Sequence, residues 1–272
     1  MPTIDHEGCP IYYTERGKGT PLVLLMGLGA DSSVWEQHVQ AYEAHFRCIL
    51  VDNRGAGQSG KPSGPYTTRK MAKDTLTVLD ELGIERAHVS GISMGSAIAQ
   101  QVALLCPERI LSLTLNCPWQ MVDIYTRRTF ETLRIAYEIM NVSDFQKLLQ
   151  LIIFTPAYHE AHLDDLLAKQ QVASEYEHPM PIHAFQAQCD ACMTHDTVGL
   201  LGSIFAPTLV TVGERDVFTP PHLSQSIADE ISQVEFVVFE GSGHTHHWDQ
   251  LERFNQLTLS FMLRQERALN ES

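Results

Sequence analysis

Short apolar runs alternate with longer amphipathic stretches over the first hundred or so residues of the chain. Pro21–Leu25 and Cys48–Val51 are uninterrupted apolar runs of strand length, and Ile110–Asn116 is a third run of similar length. Such runs indicate strands that are buried on both faces, as in a parallel sheet. Between them, apolar residues recur at helical spacing, as in Met71, Thr75, Val78, Leu79 and Leu82. This alternation predicts an α/β fold with a doubly wound, mostly parallel sheet.

The pattern changes after Cys117, where only helical periodicity continues as far as Leu201. Within this stretch Ser143-Asp144-Phe145-Gln146 resembles a capping box and predicts a helix start. Strand-like runs return at Pro207–Gly213 and Val234–Phe239. We therefore expect a core of residues 1–117 and 202–272, with residues 118–201 inserted as a helical cap over one edge of the sheet.

The stretch Gly91-Ile92-Ser93-Met94-Gly95 joins an apolar run, 87–90, to a helical pattern at 97–105. Gly-x-Ser-x-Gly between a strand and a helix is the pattern of a nucleophile elbow, in which a sharp turn exposes the serine hydroxyl. The glycines supply room for the turn, since they have no Cβ. The alternative is a chance pentapeptide in a glycine-containing loop.

A serine hydroxyl needs a base to become nucleophilic, and the base needs a carboxylate to orient it. Asp216 follows the run Leu209–Val212, and His244 follows Phe236–Phe239, so both are expected at the same sheet edge as Ser93. Competing candidates lie close by in the sequence and stay open: His246, His247, Glu214 and Asp123.

Acyl attack also creates an oxyanion, which two preorganised donors would stabilise. The backbone N–H of Met94, directly after Ser93, is one candidate. The other is the N–H of Leu28, in the turn Met26-Gly27-Leu28-Gly29, where the glycines let the backbone approach a substrate oxygen. A plain tight turn is the alternative for this glycine pair.

Two further patterns resemble a cofactor site and a metal site, but their surroundings argue against both. We therefore expect no cofactor and no metal. The glycines between Gly55 and Gly60 have the spacing of a dinucleotide fingerprint, but a proline-containing stretch follows where that site requires a helix. The residue types of a zinc site occur in His183, Cys189, Cys192 and His195. Their helical surroundings and the lack of a second Cys-x-x-Cys pair favour ordinary packing.

Composition narrows the class of partner. The formal net charge is −14, whereas nucleic acid and anionic membranes require a basic face, so we expect neither as a partner. The N-terminus lacks the features of a signal peptide, and no apolar run is long enough for a membrane helix. Six scattered cysteines fit a reducing cytoplasm. The expected partner is a small-molecule substrate, and a homo-oligomer stays open.

Taken together, four blocks of sequence resemble the α/β-hydrolase superfamily along almost the whole chain. They are the Gly27-x-Gly29 turn, Asp52-x-Arg54-Gly55-x-Gly57-x-Ser59, the Ser93 elbow, and Gly213-x-x-Asp216 with Gly241-x-Gly243-His244. Many members have histidine where this chain has Met26, which puts the hydrogen bonding of that loop in doubt. Within the superfamily the chain is similar to the 3-oxoadipate enol-lactonases, aminoacrylate hydrolases and small carboxylesterases.

The resemblance implies a hydrolase with Ser93 as nucleophile, His244 as base and Asp216 as orienting acid, acting on an ester, lactone or related carbonyl compound. Residues expected to line the substrate pocket are Trp119, Arg127, Phe130 and Phe154. Two alternatives stay open. The same three residues could catalyse carbon–carbon bond hydrolysis or cofactor-free perhydrolysis. The chain could also be a member of the family that binds a ligand without turnover. A haloalkane dehalogenase is disfavoured, because that chemistry needs a carboxylate where Ser93 stands.

Overall fold

Eight strands form one sheet in the computed structural model, which describes residues 2–270. In chain order the strands are β1 (Thr3–His6), β2 (Cys9–Arg16), β3 (Thr20–Leu25), β4 (Phe46–Val51), β5 (Ala87–Ile92), β6 (Ile110–Asn116), β7 (Thr208–Gly213) and β8 (Val234–Phe239). They lie in the order β1-β2-β4-β3-β5-β6-β7-β8. The pairs β1–β2 and β2–β4 are antiparallel, and all the other neighbouring pairs are parallel. The predicted mostly parallel α/β sheet is confirmed.

Helices cover both faces of this sheet. In chain order they are α1 (Glu36–Tyr42), α2 (Thr68–Glu81), α3 (Met94–Leu105), α4 (Ile124–Ile139), α5 (Val142–Ile153), α6 (Pro156–Ala161), α7 (Leu163–Ser174), α8 (Ile182–Thr194), α9 (Pro221–Ala228), α10 (His246–Asp249) and α11 (Leu251–Asn270). None of the helices within residues 2–270 combines the length and the apolar character that a bilayer crossing requires.

Strand β3 shows why its sequence is continuously apolar. Val23 and Leu25 belong to a core cluster that includes residues of α2 and α3, whereas Leu22 and Leu24 pack in a second cluster with residues of α1 and α11. Successive side chains of a strand point to opposite faces, so a sheet covered on both sides requires apolar residues at every position.

The chain between β6 and β7 is helical, from α4 to α8, with one isolated bridge between Met121 and Asp196. An aromatic cluster lies among these helices, where the Tyr137 ring stacks on Phe185 at 4.0 Å and meets Phe145 edge-on at 4.8 Å. We call α4 to α8 the helical insertion. Its status as a separate domain with bounds at 118 and 201 stays a prediction.

The expected capping box at Ser143 is wrong. Helix α5 begins at Val142, so Ser143 lies inside its first turn, and Asn141 is the N-cap. Asn141 Oδ1 accepts a hydrogen bond from the Asp144 N–H at 2.9 Å. Asn141 lies two positions before the predicted start. It has the extended backbone that an N-cap requires, and its short amide satisfies the free N–H of Asp144.

Candidate active site

Ser93 occupies a strained turn between β5 and α3. Its backbone angles are φ 55° and ψ −119°, a conformation that non-glycine residues rarely adopt. A Cβ on Gly91 would lie 2.2 Å from the Gly95 carbonyl oxygen, and one on Gly95 would lie 2.1 Å from that of Leu25. The turn therefore closes only with glycine at these two positions, and it places Ser93 at the N-terminus of α3.

Asp216 and His244 form a buried pair on the turns that follow β7 and β8. The imidazole Nδ1–H of His244 donates to Asp216 Oδ2 at 2.8 Å. The other carboxylate oxygen accepts the backbone N–H groups of Phe218 and Thr219 at 2.8 and 2.9 Å. These contacts fix the orientation of the ring and leave Nε2 as the imidazole atom available for proton transfer.

Thr219 adds a contact that the sequence analysis did not identify. Its Oγ1 lies 3.0 Å from Asp216 Oδ2, 3.2 Å from His244 Nδ1 and 3.3 Å from the Cys117 carbonyl oxygen. An aspartate side chain commonly accepts backbone N–H groups two or three residues later in a turn, which brings a residue at that spacing close to the carboxylate. That spacing is the only sequence signal for this residue.

The end of β6 connects Ser93 to His244. The Ser93 N–H donates to the Asn116 carbonyl at 2.8 Å, and the thiol of Cys117, the next residue, donates to the His244 carbonyl at 3.0 Å. Since β5, β6, β7 and β8 are neighbours in the sheet, all three predicted residues lie at its carboxyl edge. Among residues 2–270, however, Ser93 Oγ makes no hydrogen bond, either to His244 Nε2 or to another atom.

The two backbone amides expected at the oxyanion have no partner within residues 2–270. Neither the Leu28 N–H nor the Met94 N–H donates a hydrogen bond to another residue in the described part of the chain. The Gly27 turn lies against the elbow, since a Cβ at Gly27 would be 3.1 Å from Ser93 Cβ and 3.6 Å from Ser93 Oγ. In the part of the chain that the structure describes, both amides are thus free, one directly after Ser93 and the other in the turn that packs on it.

The loop that carries Leu28 is anchored although it lacks the histidine common in similar proteins. The carbonyl of Met26 accepts a hydrogen bond from Asn53 Nδ2 at 2.9 Å. The Gly29 N–H donates to Oε1 of Gln188, in α8, at 2.9 Å. The loop is therefore held on one side by the turn that follows β4 and on the other by the helical insertion.

The alternative histidines are engaged elsewhere. His246 Nε2 lies 2.7 Å from Thr211 Oγ1, and burial lowers the pKa of His246 to about 3. His247 Nδ1 lies 3.3 Å from His38 Nε2, and burial lowers the pKa of His247 well below its ordinary value. Among the described residues, neither ring has a carboxylate partner of the kind that His244 has.

The alternative acids are also engaged in local structure. Glu214 Oε2 accepts the Gly241 N–H at 2.8 Å and so ties together two surface turns. Asp123 caps α4 by accepting the Thr126 N–H at 2.7 Å, and its other oxygen lies 3.0 Å from His222 Nε2. Asp216 is the acid that contacts the imidazole of His244.

The residues expected to line the substrate pocket fall into two groups. Phe130 and Trp119 belong to a chain of aromatic contacts that ends at the imidazole: Trp119 to Phe130 at 5.7 Å, Phe130 to Phe218 at 5.1 Å, and Phe218 to His244 at 4.9 Å between ring centroids. These aromatic side chains form an apolar wall beside His244.

The other two residues have partners outside this wall. Arg127 is exposed on α4, and its guanidinium donates to the Met193 carbonyl at 3.1 Å. Phe154 is buried at the end of α5 and stacks on Tyr158 at 4.4 Å. Their roles in a substrate pocket stay predictions.

Residues of the zinc-like pattern have separate hydrogen-bond partners. His183 Nε2 lies 3.0 Å from the Lys61 carbonyl oxygen, and His195 Nδ1 lies 2.8 Å from Thr68 Oγ1. Within residues 2–270 one group of three has ligand atoms within 4.8 Å of one another, namely Cys117, Asp216 and His244. Burial raises the pKa of the Cys117 thiol well above its usual range, which opposes the thiolate that metal binding requires.

Comparisons with known proteins identify the family and the fold. A family model described as the alpha/beta hydrolase fold matches residues 20–251. The protein of Azorhizobium caulinodans that bears the name carbamate hydrolase RutD is 28% identical over 96% of this chain and 98% of its own. The 2-hydroxy-6-oxononadienedioate/2-hydroxy-6-oxononatrienedioate hydrolase of Paraburkholderia phymatum is 31% identical over 93% of this chain and 90% of its own.

The fold is shared with a solved structure over nearly its full length. The crystal structure of the enol-lactonase from Burkholderia xenovorans LB400 matches with a TM-score of 0.87 at 24% identity, covering 96% of this chain and 100% of the other. The family model covers most of the chain, and the related proteins are named as hydrolases. The chain therefore belongs to the α/β-hydrolase family and is a hydrolase of the branch that includes these relatives.

Proposed function

We propose that this hydrolase cleaves a carboxylic ester or lactone through an acyl-enzyme on Ser93. The observation that carries the proposal is the buried 2.8 Å hydrogen bond between His244 Nδ1 and Asp216 Oδ2, at the sheet edge where the elbow presents Ser93. A carboxylate in this position holds the imidazole with Nε2 available as a base. The free amides of Leu28 and Met94 supply the two donors that an oxyanion requires.

The reaction follows in two halves. Ser93 Oγ bonds to the carbonyl carbon while its proton passes to His244 Nε2, and the negative oxygen is held by the Leu28 and Met94 N–H groups. The C–O bond to the leaving group then breaks, and His244 returns the proton to the departing oxygen. A water molecule, deprotonated by His244, then attacks the acyl carbon. The C–O bond to Ser93 breaks, His244 returns the proton to Ser93 Oγ, and the acid is released.

The missing Ser93–His244 hydrogen bond is consistent with this scheme. Hydrogen bonds between catalytic groups are often long without substrate and tighten in the reactive complex. Ser93 Oγ has no partner among the described residues, so no existing bond must break before the hydroxyl turns toward Nε2.

We propose further that the substrate is uncharged near the scissile bond. Arg54 is the only lysine or arginine side chain buried within residues 2–270, and its guanidinium is already paired with Asp74 at 2.5 and 2.6 Å. The wall beside His244 is aromatic, and the net charge of −14 repels anions. A substrate carboxylate would therefore enter this site without a buried cation to neutralise it.

The first experiment measures hydrolysis of p-nitrophenyl butyrate by the parent protein and by Ser93→Ala, with Ser203→Ala, an exposed serine, as the matched control. Ser93→Ala should lose turnover by about 10³-fold or more, and a fluorophosphonate probe should label the parent but not this variant. Turnover that persists unchanged in Ser93→Ala would refute the proposal. Failure of the probe to label the parent would favour a ligand-binding relative.

A second experiment compares p-nitrophenyl butyrate with the p-nitrophenyl monoester of glutaric acid. The neutral ester should have the higher kcat/KM, because the anionic acyl chain gains no buried cation. A clear preference for the glutarate monoester would overturn the uncharged substrate class while leaving the role of Ser93 intact.

Hydrolysis of a carbon–carbon bond is the second candidate, favoured by the 31% identity to the 2-hydroxy-6-oxononadienedioate hydrolase. That relative acts on a dicarboxylate, for which the present site shows no unpaired buried cation among the described residues. A panel containing neutral esters, a vinylogous diketone, and acetate with hydrogen peroxide separates ester hydrolysis from carbon–carbon cleavage and perhydrolysis.

We also propose that the protein works in the reducing cytoplasm and that its partner is a small-molecule substrate. All six cysteines lie within residues 2–270 and are unpaired there, and five of them are completely buried. Titration of the denatured, unreduced protein should find six free thiols, and a lower number would contradict a reducing location.

A further inference from the structure

Gln188 joins the helical insertion to the loop beside Ser93. This side chain is completely buried in α8. Its Oε1 accepts the Gly29 N–H at 2.9 Å, and its Nε2 donates to the Arg54 carbonyl at 2.9 Å. Each partner fixes one end of the amide, since a backbone N–H only donates and a carbonyl only accepts.

The bonded loop has little stiffness of its own. Gly27 and Gly29 flank Leu28, and Gly29 adopts φ +74°. The hydrogen bond from the Ala30 N–H to the Gly27 carbonyl, at 3.4 Å, is long. Glycine leaves a backbone free to adopt several conformations, so the direction of the Leu28 N–H has to be set by contacts from outside the loop.

Helix α8 supplies these contacts through two residues on one face. Phe185 packs so closely on Gly29 that a Cβ there would lie 3.0 Å from Phe185 Cε2. Gln188, one turn farther along α8, binds the N–H of the same residue. The Gly29 N–H belongs to the peptide unit that immediately follows Leu28, so holding it restricts rotation of the Leu28 backbone.

We propose that Gln188 is a positioning residue that orients the Leu28 N–H toward the oxyanion formed on Ser93. The inference rests on the proposed function. Gln188 belongs to the helical insertion, whereas both of its partners belong to the core. The Leu28 N–H is therefore correctly oriented only when α8 packs against the loop.

Gln188→Met tests this role by removing both hydrogen bonds at similar side-chain volume. The oxyanion exists only during reaction, so kcat for p-nitrophenyl butyrate should fall by about 10-fold or more, while KM changes less than about 2-fold. The matched control is Gln186→Met in the same helix, where the amide contacts Glu138 at 3.0 Å on the surface. The control should keep the parental kcat.

Gln188→Glu adds a readout that general destabilisation would not produce. A protonated carboxyl can accept the Gly29 N–H and donate to the Arg54 carbonyl as glutamine does, whereas an ionised carboxylate would repel that carbonyl. The activity of Gln188→Glu relative to the parent should therefore rise as the pH is lowered, and Gln188→Met should show no such rise.

The outcomes separate this inference from the proposed function. If Ser93→Ala abolishes turnover but folded Gln188→Met keeps the parental kcat, Gln188 does not position the oxyanion donor. A change in KM alone, or a Gln188→Glu to parent ratio that does not vary with pH, overturns the inference in the same way. Unchanged turnover in Ser93→Ala would instead remove the proposed function itself.

Discussion

The Thr219 hydroxyl lies 3.0 Å from Asp216 Oδ2, the same carboxylate oxygen that accepts the imidazole N–H of His244. The hydroxyl therefore contacts the oxygen of Asp216 that orients the imidazole ring of His244. Two backbone amides hold the other oxygen at 2.8 and 2.9 Å. The carboxylate is thus surrounded by donors, and its hydrogen bond to His244 is one part of a fully paired arrangement.

Thr219→Val should lower kcat for p-nitrophenyl butyrate by about 5- to 30-fold, because it removes a hydrogen bond worth about 1–2 kcal/mol to a charged group. Thr219→Ser keeps the hydroxyl and should retain most of the activity. If both variants were equally impaired, the loss would come from packing of the methyl group, and the hydroxyl would have no part in orienting Asp216.

Gly95→Ala should prevent formation of the native elbow. The new Cβ would lie 2.1 Å from the Leu25 carbonyl oxygen in β3, a backbone atom that cannot move without displacing the central sheet. We expect the variant to be insoluble or to unfold at least about 10 °C below the parent, since overpacking of this kind costs several kcal/mol.

Gly202→Ala is the control for that substitution. The nearest heavy atom to a Cβ at Gly202 is the Glu230 carbonyl oxygen at 3.8 Å, an ordinary contact distance. Its melting temperature, measured by circular dichroism, should be close to that of the parent. A stable and active Gly95→Ala protein would contradict the steric explanation of the elbow.

Much of this architecture could be predicted from local pattern. The buried strands are continuous apolar runs, and the elbow, the acid and the base follow three of them directly, so one rule about parallel sheets places Ser93, Asp216 and His244 at a common edge. Strand β1 was not predicted, because it has only four residues, Thr3–His6, and most of them are polar. It forms by pairing with β2 rather than through its own apolar character.

Contacts between distant segments could not be predicted. Gln188 lies 159 residues from Gly29 in the chain, and helical periodicity marks it only as one position on α8. Whether its amide meets the solvent or the Gly29 turn depends on how the helical insertion packs on the core. The partners of Arg127 and Phe154 depend on the same packing, which no pattern of hydrophobic residues specifies.

Asp74→Asn should strongly destabilise the fold. Asp74 binds the buried guanidinium of Arg54 through both carboxylate oxygens, and one of them also lies 2.5 Å from His6 Nδ1. Removing the negative charge leaves a buried cation without compensation, which costs about 3–5 kcal/mol of the free energy of unfolding. Urea denaturation measures the loss.

The control for Asp74 is an ion pair on the surface. Glu235 binds Arg264 at 2.7 and 2.8 Å, and both side chains are about half exposed. Glu235→Gln should change the free energy of unfolding by less than about 1 kcal/mol, because solvent screens exposed pairs. Equal effects of the two substitutions would mean that burial does not determine the strength of the Arg54–Asp74 pair.

Stability should fall as the pH drops below about 6.5. Burial lowers the pKa of His38 and of His195 to about 4, and that of His246 to about 3. In the unfolded chain each histidine titrates near 6.5, so between about pH 4 and 6.5 the unfolded state binds more protons than the folded one. Folding is then opposed by roughly 2 kcal/mol for each such histidine at pH 5.

Urea denaturation at pH 7.5, 6.0 and 5.0 measures this loss, and His38→Asn tests its origin. Asparagine can still donate to Asn255 Oδ1, which lies 2.6 Å from His38 Nδ1, but it cannot be protonated. The variant should therefore lose less stability between pH 7.5 and 5.0 than the parent, even if it is less stable at pH 7.5. His45→Asn, at an exposed position, should keep the parental pH dependence. A parental slope in His38→Asn would contradict the assigned contribution of His38, because removing a histidine with a depressed pKa should make stability less dependent on pH.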